Sequence, residues 1–184
     1  VADGPVVWIG LSLGGMVGQE LALRHPRKLR ALVIANSTAG YDEAGRAAWQ
    51  QRLAAIDHGG LEAVADATMA RWFAPAFHAA QPATVARWRR RLVSTPPAGY
   101  LAAAGAVMRH DTAARLGQLA LPTLVIASAL DQGTPPAMSR QLAAAVPGAQ
   151  LAVIDGVAHL SVVEHPQEFA AAVQGFLARL GHAA

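Results

Sequence analysis

Near the start of the chain, Gly10-Leu11-Ser12-Leu13-Gly14 sets one serine midway between two glycines. A continuous apolar run, Val6 to Ile9, precedes it, and a segment that reads as helix from about Gly14 to His25 follows, ended by Pro26. The spacing has a steric meaning. A strand that turns into a helix over so few residues forces Ser12 into an unfavourable backbone conformation, and the residues two before and two after it are expected to approach other backbone too closely for a side chain. Such a turn lifts the Ser12 hydroxyl above the sheet edge. It also leaves the Leu13 amide at a helix N-terminus, where it can stabilise a developing oxyanion. A glycine-rich turn with a solvated serine is the competing reading; the strand before and the helix after favour the reactive one.

A hydroxyl becomes a nucleophile when a base takes its proton and a third group orients that base. Seven histidines compete for the role. His159, in "DGVAHLS", lies in a loop between the last expected strand and the last helix, where strand ends deliver side chains to one rim. Of the others, His25 stands at a helix end, His58, His78 and His110 fall in a helical stretch, His165 precedes a helix-starting proline, and His182 is in the tail. The orienting acid is expected before the histidine, beyond the end of the preceding strand. Asp131, in "SALDQGTPP", fits; Asp155 is the rival, nearer in sequence but at the end of the same strand as His159. The order Ser, Asp, His along the chain is that of α/β-hydrolases.

To bring three such distant side chains to one rim, the chain must build a sheet. Val6 to Ile9 reads as a strand buried on both faces, and "LRALVIANS", Leu29 to Ser37, as a second, so strand, helix and strand imply parallel pairing. From Tyr41 to Leu119 the strand signal stops and alanine-rich helices follow, broken at Gly59 and Gly60, near Pro75, at Pro82 and at Pro96 and Pro97. The alternation resumes with "LPTLVIAS" at Leu121 to Ser128, a helix from about Pro136 to Val146, "AQLAVID" at Ala149 to Asp155, and a closing helix after Pro166. In that helix Phe169, Val173, Phe176, Leu177 and Leu180 recur at helical spacing and form one apolar stripe to lie on the sheet. The class is α/β: a core of residues 1–40 and 120–184, with 41–119 as a helical cap inserted between strands.

Composition narrows the function classes. With 184 residues, 53% of them apolar, the chain can bury one real core. No run has the length and apolarity of a membrane span, the opening VADGP lacks the basic start of a secretory signal, and there is no cysteine, so a cytoplasmic location without disulfides or thiolate metal sites is expected. A net charge of +3 is spread along the chain except at Arg87, Arg89, Arg90 and Arg91, and no basic face with interleaved aromatics supports nucleic-acid binding.

The elbow "GLSLGGMVGQ", "ANST" after the next strand, "RWF" at Arg71 to Phe73, "GYLAAAGAV" at Gly99 to Val107, "PTLVIAS" followed by "DQGTPP", and "AHLSVVEHP" together resemble the 3-oxoadipate enol-lactonases, α/β-hydrolases of aromatic-compound degradation. The resemblance implies hydrolysis of a small enol-lactone bearing a carboxylate, with Ser12, Asp131 and His159 matching the family's triad and no metal or organic cofactor. Departures are "AGYDE", where the family often has a lysine-type segment, and Val162, where it often has asparagine. The same triad would serve a broad carboxylesterase or a cofactor-free perhydrolase, and a ligand-binding or non-catalytic relative is the reading outside the enzymes. Members of this fold place several strands before the nucleophile strand and draw a second oxyanion amide from an early loop. This sequence starts at that strand, so the expectations are a C-terminal portion with weak activity alone and an uncovered edge at Val6 to Ile9 open to self-association. A small ester or lactone is the expected partner. For its binding the candidates are Trp72 and Trp88, whose default role is to pack the cap helices, and Arg87 and Arg90, which either bind the carboxylate or sit on a solvated helix face.

Overall fold

The computed structural model describes residues 4–181, so the tail histidine His182 and the first residues of VADGP lie outside the described residues. Four strands, β1 (Val6–Leu11), β2 (Leu29–Ala35), β3 (Thr123–Ser128) and β4 (Gln150–Ile154), pair in sequence order, and every pairing is parallel. Between β1 and β2 runs α1 (Leu13–Arg24). Between β2 and β3 come α2 (Glu43–Gly59), α3 (Glu62–Trp72), α4 (Pro75–Ala80), α5 (Pro82–Val93) and α6 (Pro97–Arg109). Helix α7 (Pro136–Ala145) joins β3 to β4, and a four-residue α8 (Ser161–Glu164) leads into α9 (Pro166–Gly181).

The sheet separates two apolar layers, because successive side chains point to opposite faces. Ala31, Val33 and Ala35 of β2 join Leu124, Ile126 and the α9 stripe of Phe169, Val173 and Phe176, with Leu177 and Leu180 packed at the margin. Leu32 and Ile34 of the same strand meet Ala22 of α1 and Leu142 of α7 on the other face. The central strands β2 and β3 are thus buried on both sides, as parallel strands require. β1 differs from the expectation. Val6 is 37% and Ile9 49% exposed, and β1 pairs only with β2 among the described residues. Trp8 points the other way, against Gly18 of α1, where a Cβ would lie 2.6 Å from its ring.

The insertion's boundaries follow its prolines and glycines. Proline occupies the first turn of α4, α5 and α6, where its missing N–H goes unneeded. Asp42 caps α2 by accepting from the Gly45 amide, and Gly60 ends that helix at φ 66°. Ile56, Val64, Met69, Phe73, Val85 and Leu92 form the insertion's own core, which Leu160 joins from the loop after β4. At the neck an antiparallel bridge pairs Gly40 with Asp111, next to a bond from Thr112 N to Ala39 O, and Leu116 and Leu119 beyond it already belong to the sheet-side layer. No helix of the described residues is long and apolar enough to cross a membrane.

Candidate active site

Ser12 sits between β1 and α1 at φ 54° and ψ −116°, the strained conformation that the turn demands. It is held from both sides. Its amide donates to Ala35 O at 2.8 Å, and its carbonyl accepts from the Gly15 and Met16 amides and from Ser37 Oγ. A Cβ on Gly10 would lie 2.1 Å from the Gly14 carbonyl oxygen, so that glycine is required by close approach. Gly14 is a correction: a Cβ there meets nothing within 4 Å among the described residues. The second tight contact belongs to Gly15, whose Cβ would fall 2.7 Å from Ser37 Cβ. The Leu13 amide opens α1 and makes no hydrogen bond among the described residues.

His159 and Asp131 reach Ser12 from two other strand ends. His159 Nε2 lies 2.9 Å from Ser12 Oγ, and its Nδ1 lies 2.8 Å from Asp131 Oδ2. Both side chains are nearly buried, with His159 7% and Asp131 3% exposed. The rival Asp155 is exposed and makes no bond to His159. The reason lies in the loop after β3. Ala129 N donates to Ile154 O and Leu130 N to Val157 O, which folds Asp131 sideways across the end of β4 and under the imidazole. Gly133 N and Thr134 N donate to Asp131 Oδ1, while Thr134 Oγ1 and Asn36 Nδ2 donate to Oδ2. Burial alone would push this carboxyl up. The hydrogen bond and charge of His159, the Thr134 amide and Asn36 hold it below the ordinary range instead. The remaining described histidines lie elsewhere: His58 bonds Ala54 O, His78 bonds Met69 O, His110 neighbours Thr112, His165 lies 3.6 Å from Glu168, and His25 is exposed after α1.

Above Ser12, Leu13 and His159 opens a cavity of about 620 Å³ whose upper wall comes from the insertion. Trp72 lines it, with Trp49, Tyr100, Arg52 and Arg71. Three sequence candidates do not. Arg87 and Arg90 are on the exposed face of α5, and Trp88 stands behind Trp72, edge-on at 6.3 Å. The amphipathic turn of α5 explains this: Val85, Trp88 and Leu92 face the insertion's core, so the neighbouring arginines must face water. Sequence reasoning missed Arg52. Its Nε donates to Tyr100 Oη and its Nη2 to Thr68 Oγ1, both at 2.7 Å, and its guanidinium lies over the Trp49 and Tyr100 rings. Among the described residues it meets no carboxylate. The available signal was local: Trp49 and Arg52 share one face of α2, and no acid stands three or four residues from Arg52.

The insertion and the His159 loop are joined. Glu164 accepts from Ala74 N and Ala158 N at 2.8 and 2.7 Å, and Leu160 N donates to Trp72 O at 3.0 Å. Burial pushes the Glu164 carboxyl up, against the pull of those two amides. Burial also raises the Tyr41 hydroxyl, which donates to Gly133 O at 3.4 Å.

A family model described as alpha/beta hydrolase fold matches residues 2–166. This chain belongs to the alpha/beta hydrolase family. It is 33% identical over 170 residues to 3-oxoadipate enol-lactonase 2 of Acinetobacter baylyi, an alignment covering 92% of this chain and 62% of that protein. A solved hydrolase from Pseudomonas aeruginosa PA01 superposes with a TM-score of 0.87 at 37% identity, covering 94% of this chain and 64% of that one. The enol-lactonase from Burkholderia xenovorans LB400 superposes with a TM-score of 0.90 at 29% identity, covering 95% and 66%. This alpha/beta hydrolase chain therefore spans a little under two thirds of the length of these relatives.

Proposed function

We propose that this chain carries the reacting groups of a serine hydrolase that opens a small, carboxylate-bearing enol-lactone. The observation that carries the reading is the unbroken chain from Ser12 Oγ to His159 to the buried Asp131, with Ser12 and His159 lining a cavity that also holds an arginine with no acidic partner among the described residues. The enol-lactonase relatives support the substrate class.

In this mechanism His159 Nε2 takes the Ser12 proton as Oγ attacks the lactone carbonyl, and Asp131 stabilises the imidazolium that forms. The Leu13 amide donates to the oxyanion. Collapse breaks the ring C–O bond and leaves an acyl-enzyme, while His159 returns its proton to the departing enol oxygen, which stays tethered and tautomerises to the ketone. Water, deprotonated by the same imidazole, then cleaves the ester and frees Ser12. Arg52 and Arg71 receive the substrate carboxylate on the insertion side, and a small soluble acid is the product, which fits work in the cytoplasm.

A fluorophosphonate tests the chemistry, and substrate charge tests the class. Ser12 is expected to be labelled, and labelling to disappear in His159→Ala. Arg52→Met is expected to raise KM for a carboxylate-bearing lactone or ester by roughly ten- to a hundredfold, the worth of a charge-assisted hydrogen bond, with little change for a neutral ester. Arg87→Ala and Arg90→Ala leave both unchanged. An unlabelled Ser12 refutes the hydrolase, and an equal effect of Arg52→Met on charged and neutral substrates refutes carboxylate recognition in favour of a broad esterase.

A further inference from the structure

Asn36 follows β2 with its side chain fully buried and its backbone at φ 46°, the one residue besides Ser12 that is not glycine and has positive φ among the described residues. Asparagine tolerates this region better than most residues. Its amide is used at both ends. Nδ2 donates to Ser128 Oγ at 2.7 Å and to Asp131 Oδ2 at 3.0 Å, and Oδ1 accepts from Ser161 Oγ at 2.7 Å. The orientation is fixed by chemistry, because an ionised carboxylate only accepts, so the nitrogen must face Asp131 and the oxygen must face Ser161. Ser161 is itself fully buried and stands two residues after His159.

We propose that Asn36 is a positioning residue that ties the loop carrying His159 to the carboxylate of Asp131 and limits how strongly that carboxylate holds the imidazole. The inference rests on the hydrolase reading above. Asp131 Oδ2 serves three donors at once: His159 Nδ1, Thr134 Oγ1 and Asn36 Nδ2. Removing Asn36 leaves the carboxylate anchored by Thr134 and the Gly133 amide, so it stays in place. Its charge is then dispersed over fewer donors and falls more heavily on His159, which favours the protonated, inactive imidazole. The other titratable or charged groups facing this pair are Tyr41 from the loop before α2, Glu164 from α8, and Arg52 and Arg71 from the insertion. None of them touches Asn36.

The test is the pH dependence of Ser12 phosphonylation by a fluorophosphonate, in the full chain and in Asn36→Gly, Ser161→Ala and the double variant. Glycine accepts the positive φ, so Asn36→Gly removes the amide while keeping the backbone. Its acid limb is expected to move up by about half to one pH unit, a three- to tenfold loss of rate on the limb with the plateau nearly intact. Ser161→Ala is expected to move the limb the same way by less, and the double variant no further than Asn36→Gly alone, because both act through one path. A limb that stays put or moves down, or shifts that add, overturns the proposal, since a merely structural role would lower stability and plateau without moving the limb. If Asn36→Gly fails to fold, the limb of Ser161→Ala alone decides by the same criterion. Wild-type chain unlabelled at Ser12 overturns the hydrolase reading and this one together; labelled wild type with an unmoved limb overturns only the role of Asn36.

Discussion

Gly10 and Gly14 stand at equivalent places in the elbow motif, yet the structure assigns them opposite sensitivities. An alanine at residue 10 would bring its Cβ 2.1 Å from Gly14 O, 2.2 Å from Gly14 C and 2.7 Å from Gly15 N. Non-bonded carbons prefer about 3.5 Å or more, so the first turn of α1 would have to retreat by roughly 1 Å. It has little freedom to do so, because Trp8 Nε1 donates to Gly14 O at 2.9 Å and Gly15 lies hard against Ser37. Overpacking commonly costs about 1–3 kcal/mol, and with backbone as the obstacle Gly10→Ala belongs at about 3 kcal/mol or above. Gly14→Ala enters open space within the first turn of a helix and should gain about 0.5–1 kcal/mol. The difference of roughly 4 kcal/mol corresponds to about 8–16 °C between the two melting temperatures for a domain of this size. Thermal unfolding followed by circular dichroism measures it, and fluorophosphonate labelling adds a second readout, lost in Gly10→Ala and kept in Gly14→Ala. Melting temperatures within about 2 °C of each other would show that close backbone approach is not what demands glycine at residue 10.

Two further outcomes follow from the packing. Hydrogen bonds from Arg115 and Arg24 bring the Glu20 carboxyl down to about 2, from an ordinary 4.5; its folded value is the depressed one, so its contribution is present above pH 4.5 and fades as pH falls towards 2. Urea midpoints measured from pH 6 to 2 should therefore fall less steeply in Glu20→Gln than in the wild type. Phe73 is fully buried in the insertion's core and stacks on Phe77 at 5.2 Å, so Phe73→Ala should lose about 3–5 kcal/mol in chemical unfolding.

What the sequence disclosed about the fold was what short-range rules control. Pro75, Pro82 and Pro97 fix helix starts through their own ring geometry, and Gly60 ends α2 through its own φ, so those boundaries were readable without knowing any partner. The apolar run at Val6–Ile9 reads as buried on both faces because composition reports what a strand can bury, whereas exposure depends on what lies beside it; Ile9 is exposed in a strand at the sheet edge, which agrees with the expected uncovered edge and not with the doubly buried strand. Gly14 misled in the same way, since a motif position does not reveal which backbone comes near. Among the candidate side chains, Ser12, Asp131 and His159 were legible because each follows a strand, and parallel strands deliver their ends to one rim. Arg52 and Asn36 follow no such rule. Asn36 acquires its place from Asp131 and Ser161, 95 and 125 residues away, and Arg52 from Tyr100 across two helices of the insertion.

Distant contacts also tie the insertion's wall of the cavity to the loop that carries His159. The segment that leads Trp72 out of α3 is bonded to the segment that presents His159, through Leu160 N to Trp72 O and through Glu164, which holds the Ala74 and Ala158 amides together. Asn36 performs the matching task beneath the imidazole, between Ser161 and Asp131. The His159 loop is therefore gripped from above by the insertion and from below by the sheet, while Ser12 is held by Ala35 and Ser37 on either side of Asn36. A substitution at the insertion's α3–α4 junction is therefore expected to disturb the imidazole as well as the cavity wall, because Leu160 N and Glu164 bond that junction to the His159 loop.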